Sequence, residues 1–276
     1  MTSEEVERGY NNRAAVPDHP RYFAQYASLS RAARERYAPK LDLRYGPNPR
    51  EVLDLFVPAG KPRGTYLYIH GGYWRALSKD DYSFVAGPML DQGIAVAVVE
   101  YDLCPQVSIS TIVDECRRAV TWVAGEGPKH GAPAPLVIGG SSAGGHLVAM
   151  MYAADWTAHG FDRAPIAGGV TLSGVHDLTP LVDFSYNADL RLDLEEARRM
   201  SPAAYPSRIG APLVIACGDR ETSEFIRQSR LMWDAWPANR RPADGPLLIP
   251  GGDHFSVQLD HADPQSALTR ATLALF

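Results

Sequence analysis

Residues 136–148 read LVIGGSSAGGHLV, two adjacent serines set in a run of glycines. A serine hydroxyl is a weak nucleophile until a base takes its proton and donors stabilise the oxyanion that forms. The glycines suggest where such a hydroxyl would stand, because a sharp strand-to-helix turn needs residues without a Cβ on either side of an exposed nucleophile. Only the frame Gly140-Ser141-Ser142-Ala143-Gly144 gives Gly-x-Ser-x-Gly, which makes Ser142 the candidate nucleophile and Ser141 its neighbour. A phosphate-cradling loop is the competing use of such a glycine run. It is disfavoured here because the lysine of a P-loop is missing and the stretch comes too late in the chain for a Rossmann opening strand.

Nucleophilic chemistry requires three further parts. Oxyanion donors are suggested by His70-Gly71-Gly72-Tyr73-Trp74, where the glycines let backbone N–H groups of Gly71 and Gly72 approach a bound carbonyl, with the N–H of Ala143 as the remaining donor. A base is expected after the last strand, and Gly251-Gly252-Asp253-His254-Phe255 places His254 there. His70 and His146 lie within the other motifs, and His19, His130, His159, His176 and His261 are expected on loops or helix surfaces. An acid must orient the imidazole, and the stretch PLVIACGDRETSEF offers Asp219, Glu221 and Glu224. The spacing after Gly218 favours Glu221, with Asp219 as the alternative.

Positioning these groups calls for a particular scaffold. Short apolar runs at TYLYIH (65–70), IAVAVVEY (94–101), PLVIGG (135–140), IAGGVTLSG (166–174), PLVIACG (212–218) and PLLIPGG (246–252) suit strands buried on both faces. Helical spacing at 21–38, 110–124 and 223–236 alternates with them, and residues 41–57 suggest an antiparallel hairpin around Gly46-Pro47-Asn48-Pro49. The expectation is one α/β domain over 1–276: a mostly parallel central sheet with an N-terminal antiparallel hairpin and helices on both faces. A helical segment occupies 1–40, and 175–210 is too long for a simple connection and is expected to form a small cap. The order Ser142, Glu221, His254 is that of the α/β-hydrolase fold.

Composition narrows the partners. With 45% hydrophobic and 21% charged residues and a net charge of −5, the chain has an ordinary globular make-up and no basic surface for nucleic acid or anionic membrane. The cysteines Cys104, Cys116 and Cys217 are odd in number and lack paired metal-site spacing, which suits reduced thiols in a cytoplasmic chain. The N-terminus MTSEEVERGY has no apolar core of a signal peptide, and no run approaches the roughly 20 apolar residues of a membrane helix. A small-molecule substrate is expected, with no cofactor or metal; a homodimer stays open.

HGGYW, the elbow followed by histidine as SAGGH, and ETSEFIRQS after the acid strand resemble the arylformamidase (kynurenine formamidase) family, an esterase-like branch of the α/β-hydrolases. The resemblance extends over RYFAQYASLSRAARERY, RYGPNPREVLDLFVP and the SGVHDL…SP stretch. It implies a serine hydrolase cleaving a short-acyl aryl amide such as N-formylkynurenine through an acyl-enzyme, with Glu221 as the triad acid. A carboxylesterase for short acyl esters is the alternative; a non-catalytic binding protein fits the intact motifs less well. Two residues depart from the family pattern, Ser141 where histidine is usual and Glu100 in VEYDLCPQ where asparagine is usual. Tyr73 and Trp74 project from the oxyanion loop and are expected either to wall the acyl side of the site or to pack the loop down.

Overall fold

A computed structural model describes residues 1–276. Helices α1 (Ser3–Tyr10), α2 (Asn12–Ala15) and α3 (Pro20–Tyr37) precede a hairpin of β1 (Lys40–Arg44) and β2 (Val52–Phe56). There follow β3 (Thr65–Ile69), α4 (Ala86–Leu90), β4 (Ala95–Val99), α5 (Ile109–Gly125), α6 (Gly127–His130), β5 (Leu136–Ser141) and α7 (Ala143–Ala153). After β6 (Ile166–Leu172), α8 (Asn187–Leu190) and α9 (Leu194–Arg199) come β7 (Leu213–Gly218), α10 (Ser223–Ala235), β8 (Arg240–Arg241), β9 (Leu247–Ile249) and α11 (Ala267–Leu273).

The strands form one sheet in the order β1-β2-β4-β3-β5-β6-β7-β8, with β9 also on β7. Only β1–β2 and β2–β4 are antiparallel; every other pair is parallel. The apolar runs of β3 and β4 are continuous because both faces are covered, and the two-residue period divides them between two cores. Leu67, Ile69, Ala97 and Val99 join the core with α5, α7 and α10, while Tyr66, Tyr68, Val96 and Val98 join α3 and α4 on the other side. The parallel strands all end at the same edge of the sheet, where the loops carrying the candidate residues converge.

The three N-terminal helices all lie within the first 40 residues. A capping box, in which Thr2 Oγ1 accepts from the Glu5 N–H at 3.2 Å and the Glu5 carboxylate accepts from the Thr2 N–H at 2.7 Å, starts α1. Thr222 Oγ1 donates to the Gly9 carbonyl at 2.5 Å and Gln228 Nε2 to Tyr10 Oη at 2.8 Å, which stitch α1 to α10.

Helix α3 is held to the sheet by charge. Asp54 in β2 is wholly buried, and its carboxylate takes Lys79 Nζ at 3.0 Å, the Asp42 N–H at 3.0 Å and the Arg34 guanidinium from α3. Removing one partner of a buried ion pair leaves the other charge desolvated, so the loss is large. Asp54→Asn is expected to lower unfolding free energy by about 3 kcal/mol, measured by urea denaturation; a change under about 0.5 kcal/mol, the range of ordinary surface substitutions, would mean the cluster does not anchor α3.

Candidate active site

Ser142 occupies the turn between β5 and α7 with φ 55° and ψ −119°, a left-handed position that non-glycine residues rarely hold. Its N–H is fixed by the Leu172 carbonyl at 2.8 Å. The turn is tight enough that a Cβ on Gly144 would run into the carbonyl oxygen of Ile69, the last residue of β3. Glycine is required there by close approach. Ser141 points the other way, its Oγ 2.8 Å from Tyr68 Oη in the buried α3-side core. The two adjacent serines therefore face different environments, and only Ser142 lines the cleft.

His254 Nε2 lies 3.1 Å from Ser142 Oγ and its Nδ1 lies 2.7 Å from Glu221 Oε2. Nδ1–H donates to the carboxylate, which leaves the Nε2 lone pair facing the serine hydroxyl. Glu221 has no exposed side-chain surface. Its Oε1 accepts from the Gly218 N–H at 2.9 Å and from Ser173 Oγ. Three donors thus fix both carboxylate oxygens. Asp219 is not brought to His254; it is exposed and accepts from the Gly251 N–H at 2.7 Å, bracing the turn that precedes the histidine. Glu224 instead takes Tyr10 Oη at 3.0 Å and Arg227 Nε at 2.9 Å.

The HGG segment packs directly on the elbow: a Cβ on Gly71 would lie 2.8 Å from the Ser141 carbonyl and 3.3 Å from Ser142 Cβ. Two buried side chains orient its peptides. Tyr101 Oη donates to the His70 carbonyl at 2.8 Å, and His70 Nδ1–H donates to the Gly71 carbonyl at 2.7 Å. In a trans peptide the N–H points opposite the carbonyl, so these two bonds set the directions of the Gly71 and Gly72 N–H groups. Neither N–H, nor that of Ala143, donates to any acceptor within the chain. The imidazole of His70 stacks on Tyr101 with centroids 4.2 Å apart. Tyr101 was not singled out by sequence reasoning, and neither was Ser173; the signal available for each was its place just beyond a core strand.

Glu100, the departure from the family pattern, sits beneath this loop. Its carboxylate accepts from the Lys79 N–H at 3.0 Å, pairs with Arg50 and lies 3.4 Å from His70 Nε2. Burial raises its pKa, but the contacts with His70, Arg50 and the Lys79 N–H outweigh that and hold it lowered.

The cleft has a volume of about 560 Å³ including its open mouth and is lined by Asn12, Arg13, Phe23, Tyr26, Gly72, Tyr73, Arg75, Ala76, Leu77, Tyr82, Ser142, Tyr186, His254, Phe255 and Gln258. Tyr73 is part of that wall, its Oη donating to the Tyr10 carbonyl at 2.5 Å. Trp74 is not. It is wholly buried, its indole edge-on to His146 at 5.0 Å, so the expectation that it contacts substrate is corrected: Trp74 packs the loop down. His176 and His261 are also corrected, from surface positions to buried ones. Tyr186 brings part of the 175–210 insertion to the cleft, where Phe184 and Tyr186 both pack on Tyr73 with centroids 5.4 Å apart.

The BD-FAE family model matches residues 53–236. A kynurenine formamidase of Salmo salar is 30% identical, over 85% of this chain and 81% of its own length. One from Danio rerio is 29% identical, over 100% of this chain and 97% of its own. The solved structure of a candidate thioesterase from Silicibacter superposes with a TM-score of 0.86 at 33% identity, covering 98% of this chain and 99% of that one.

Three buried histidines near this scaffold have a consequence for stability. Burial holds His146 down at about 4 and His176 and His261 at about 3, so each stays neutral in the folded chain while the unfolded chain takes up a proton near pH 6.5. The unfolded state then binds more protons, and stability must fall as pH drops below 6.5, by up to about 1.4 kcal/mol per pH unit for each histidine. Urea unfolding followed from pH 7.5 to 5 is expected to show this decline, partly offset by Glu115, whose carboxyl burial raises to about 7, and His261→Gln is expected to make the decline shallower. A flat stability profile over that window would contradict the assignment.

Proposed function

Because this chain belongs to the BD-FAE family and to the arylformamidase line of the α/β-hydrolases, we propose that Ser142, His254 and Glu221 act as the catalytic triad of a serine hydrolase that cleaves short-acyl aryl amides, N-formylkynurenine first among them. The observation that carries this reading is the continuous hydrogen-bonded line from Glu221 Oε2 through His254 to Ser142 Oγ, with bonds of 2.7 and 3.1 Å.

In the proposed mechanism Ser142 Oγ attacks the acyl carbon as His254 Nε2 takes its proton. Glu221 holds the Nδ1–H tautomer and stabilises the imidazolium that forms. The N–H groups of Gly71, Gly72 and Ala143, free of other acceptors, receive the oxyanion, each donor worth roughly 3 kcal/mol to the transition state. His254 returns the proton to the departing arylamine nitrogen. Water then attacks the acyl-serine by the same route and releases the short acid. Every proton moves among side chains, substrate and water, so no metal or organic cofactor has a step to perform. The same groups would cleave an oxygen ester with its better leaving group, which is why a short-chain carboxylesterase is the second reading.

Tyr73, pinned by its bond to the Tyr10 carbonyl and flanked by Phe184 and Tyr186, supports a short acyl group by closing one wall of the cleft. We assign the 175–210 insertion the role of a cap over this wall. A reducing cytoplasm is the proposed setting, with all three cysteines buried as thiols, and the partner is a small molecule.

Two measurements test the reading. Glu221→Gln is expected to lower kcat by roughly 10⁴-fold because an amide cannot stabilise the His254 cation, whereas Asp219→Asn stays within about threefold; the reverse order would remove Glu221 from the triad. Across p-nitrophenyl esters from acetate to octanoate, kcat/KM is expected to fall steeply beyond about four carbons as the fixed Tyr73 wall is met. N-formylkynurenine should be turned over with kcat/KM comparable to that of the best ester. Octanoate as the preferred ester, with no deformylation, would leave a general esterase.

A further inference from the structure

We propose that Glu100 holds His70 as a buried imidazolium, and that this cation, bonded to the Gly71 carbonyl, strengthens the Gly72 N–H as an oxyanion donor. Glu100 is then a positioning residue that acts through His70, since it does not line the cleft itself. The inference rests on the reading of Ser142 as the nucleophile and adds what charges a donor that faces it.

The hydrogens on His70 follow from its surroundings. The ring is wholly buried, and each of its nitrogens faces an oxygen. Nδ1 lies 2.7 Å from the Gly71 carbonyl, and Nε2, which makes no hydrogen bond, lies 3.4 Å from Glu100 Oε1. A neutral imidazole carries one N–H and one lone pair. With the hydrogen on Nδ1, the Nε2 lone pair would face a carboxylate. With it on Nε2, a lone pair would face the carbonyl at hydrogen-bond distance. Only the doubly protonated ring presents a hydrogen to both oxygens.

The neighbours suit a cation. A buried charge needs a partner, and Glu100 supplies it: burial raises its pKa, but His70 first, then Arg50 and the Lys79 N–H, hold it lowered. The His70 ring stands 4.2 Å from that of Tyr101 and 6.1 Å from that of Tyr82, nearly parallel to both, and aromatic faces attract a cation. Burial pushes both phenols well above their ordinary range, so neither titrates against it. Arg50 meets the same carboxylate, but its side chain is 38% exposed and water screens its repulsion of His70. The Lys79 ammonium is taken up by Asp42, Asp54 and Asp80.

The charge reaches the site through one peptide group. The Gly71 carbonyl and the Gly72 N–H belong to it, so a hydrogen donated to the oxygen polarises the N–H on the far side. A charged donor makes that bond roughly twice as strong as a neutral one. Gly72 lines the cleft, and its N–H has no acceptor within the chain. The peptide before it, which carries the Gly71 N–H, is engaged by the neutral phenol of Tyr101 at 2.8 Å. The two donors of this loop are therefore unequal, and Glu100 acts on the stronger. A polarised N–H gains most where negative charge develops, so the effect belongs to kcat rather than KM.

Glu100→Gln tests this, because the amide keeps the size of the side chain and can donate to a neutral Nε2 while the charge is gone. Proton–nitrogen correlation spectra of the chain, isotope-labelled in its histidines, report which ring nitrogens carry hydrogen; the His70 signals are those absent from His70→Asn. At neutral pH His70 is expected to be doubly protonated in the wild type and singly protonated, on Nδ1, in Glu100→Gln. With p-nitrophenyl acetate, Glu100→Gln is expected to lower kcat about 10-fold and leave KM within about twofold, because a donor is weakened rather than removed. In the His70→Asn background, where an uncharged amide takes the place of the ring, the same substitution should cost less than about twofold. A singly protonated His70 in the wild type overturns the proposal, and that spectrum decides alone if Glu100→Gln does not fold. An equal loss of kcat in both backgrounds also overturns it, by placing the role of Glu100 in its bonds to Arg50 and Lys79. If the wild type cleaves neither ester nor formamide while His70 is doubly protonated, the charged pair stands and the acyl-transfer reading fails.

Discussion

The first residues of α7 lie against the last residue of β3 with no side chain between them. Gly144 faces the Ile69 carbonyl and Gly71 faces the Ser141 carbonyl, each so closely that a methyl group would not fit. That backbone-to-backbone contact brings two loops from neighbouring parallel strands to within one hydrogen-bond length of each other. One carries the hydroxyl of Ser142; the other carries the free N–H groups of Gly71 and Gly72. The parallel register of β3 with β5, in which Ile69 pairs with Gly140, is what aligns the ends of the two strands. The strained φ of Ser142 persists because the sheet on one side and α7 on the other leave the turn no alternative.

Around this contact the polar groups are held from behind. Ser173, itself at φ 52°, and the Gly218 N–H grip Glu221, while Tyr101 and His70 fix the peptides of the oxyanion loop. Below them, Arg50, Lys79, Asp54 and Arg34 form a chain of buried and half-buried charges joining the loop, β2 and α3. Such a network fixes geometry at the cost of desolvation, and it concentrates where position matters more than stability. The N-terminal segment completes the cleft, since α1 clasps Tyr73 and α2 and α3 supply Asn12, Arg13, Phe23 and Tyr26 to its wall.

Much of this was legible in the sequence, for reasons that differ by element. The core strands announced themselves because strands covered on both faces read as unbroken apolar runs, and the observed β3, β5 and β7 begin and end within a residue or so of those runs. The glycine spacing singled out Ser142, and the spacing after Gly218 singled out Glu221 over Asp219, the arrangement the hydrogen bonds then display. Other features carried no local signal. Trp74 and Tyr73 are adjacent and chemically alike, yet the left-handed turn at both sends one ring into the core and the other to the cleft. His176 and His261 look like polar loop residues until the packing closes over them. Long-range contacts of this kind are written in the tertiary structure and in no window of sequence.

Catalysis by this cleft depends on which of the two adjacent hydroxyls is activated. Reaction with a fluorophosphonate, followed by peptide mass spectrometry, reports that directly, because the reagent captures a serine only where a base and oxyanion donors surround it. The expected result is one adduct per chain, located on Ser142, with labelling slowed by Glu221→Gln and unaffected by Asp219→Asn. An adduct on Ser141, or no adduct on a folded chain, would contradict it.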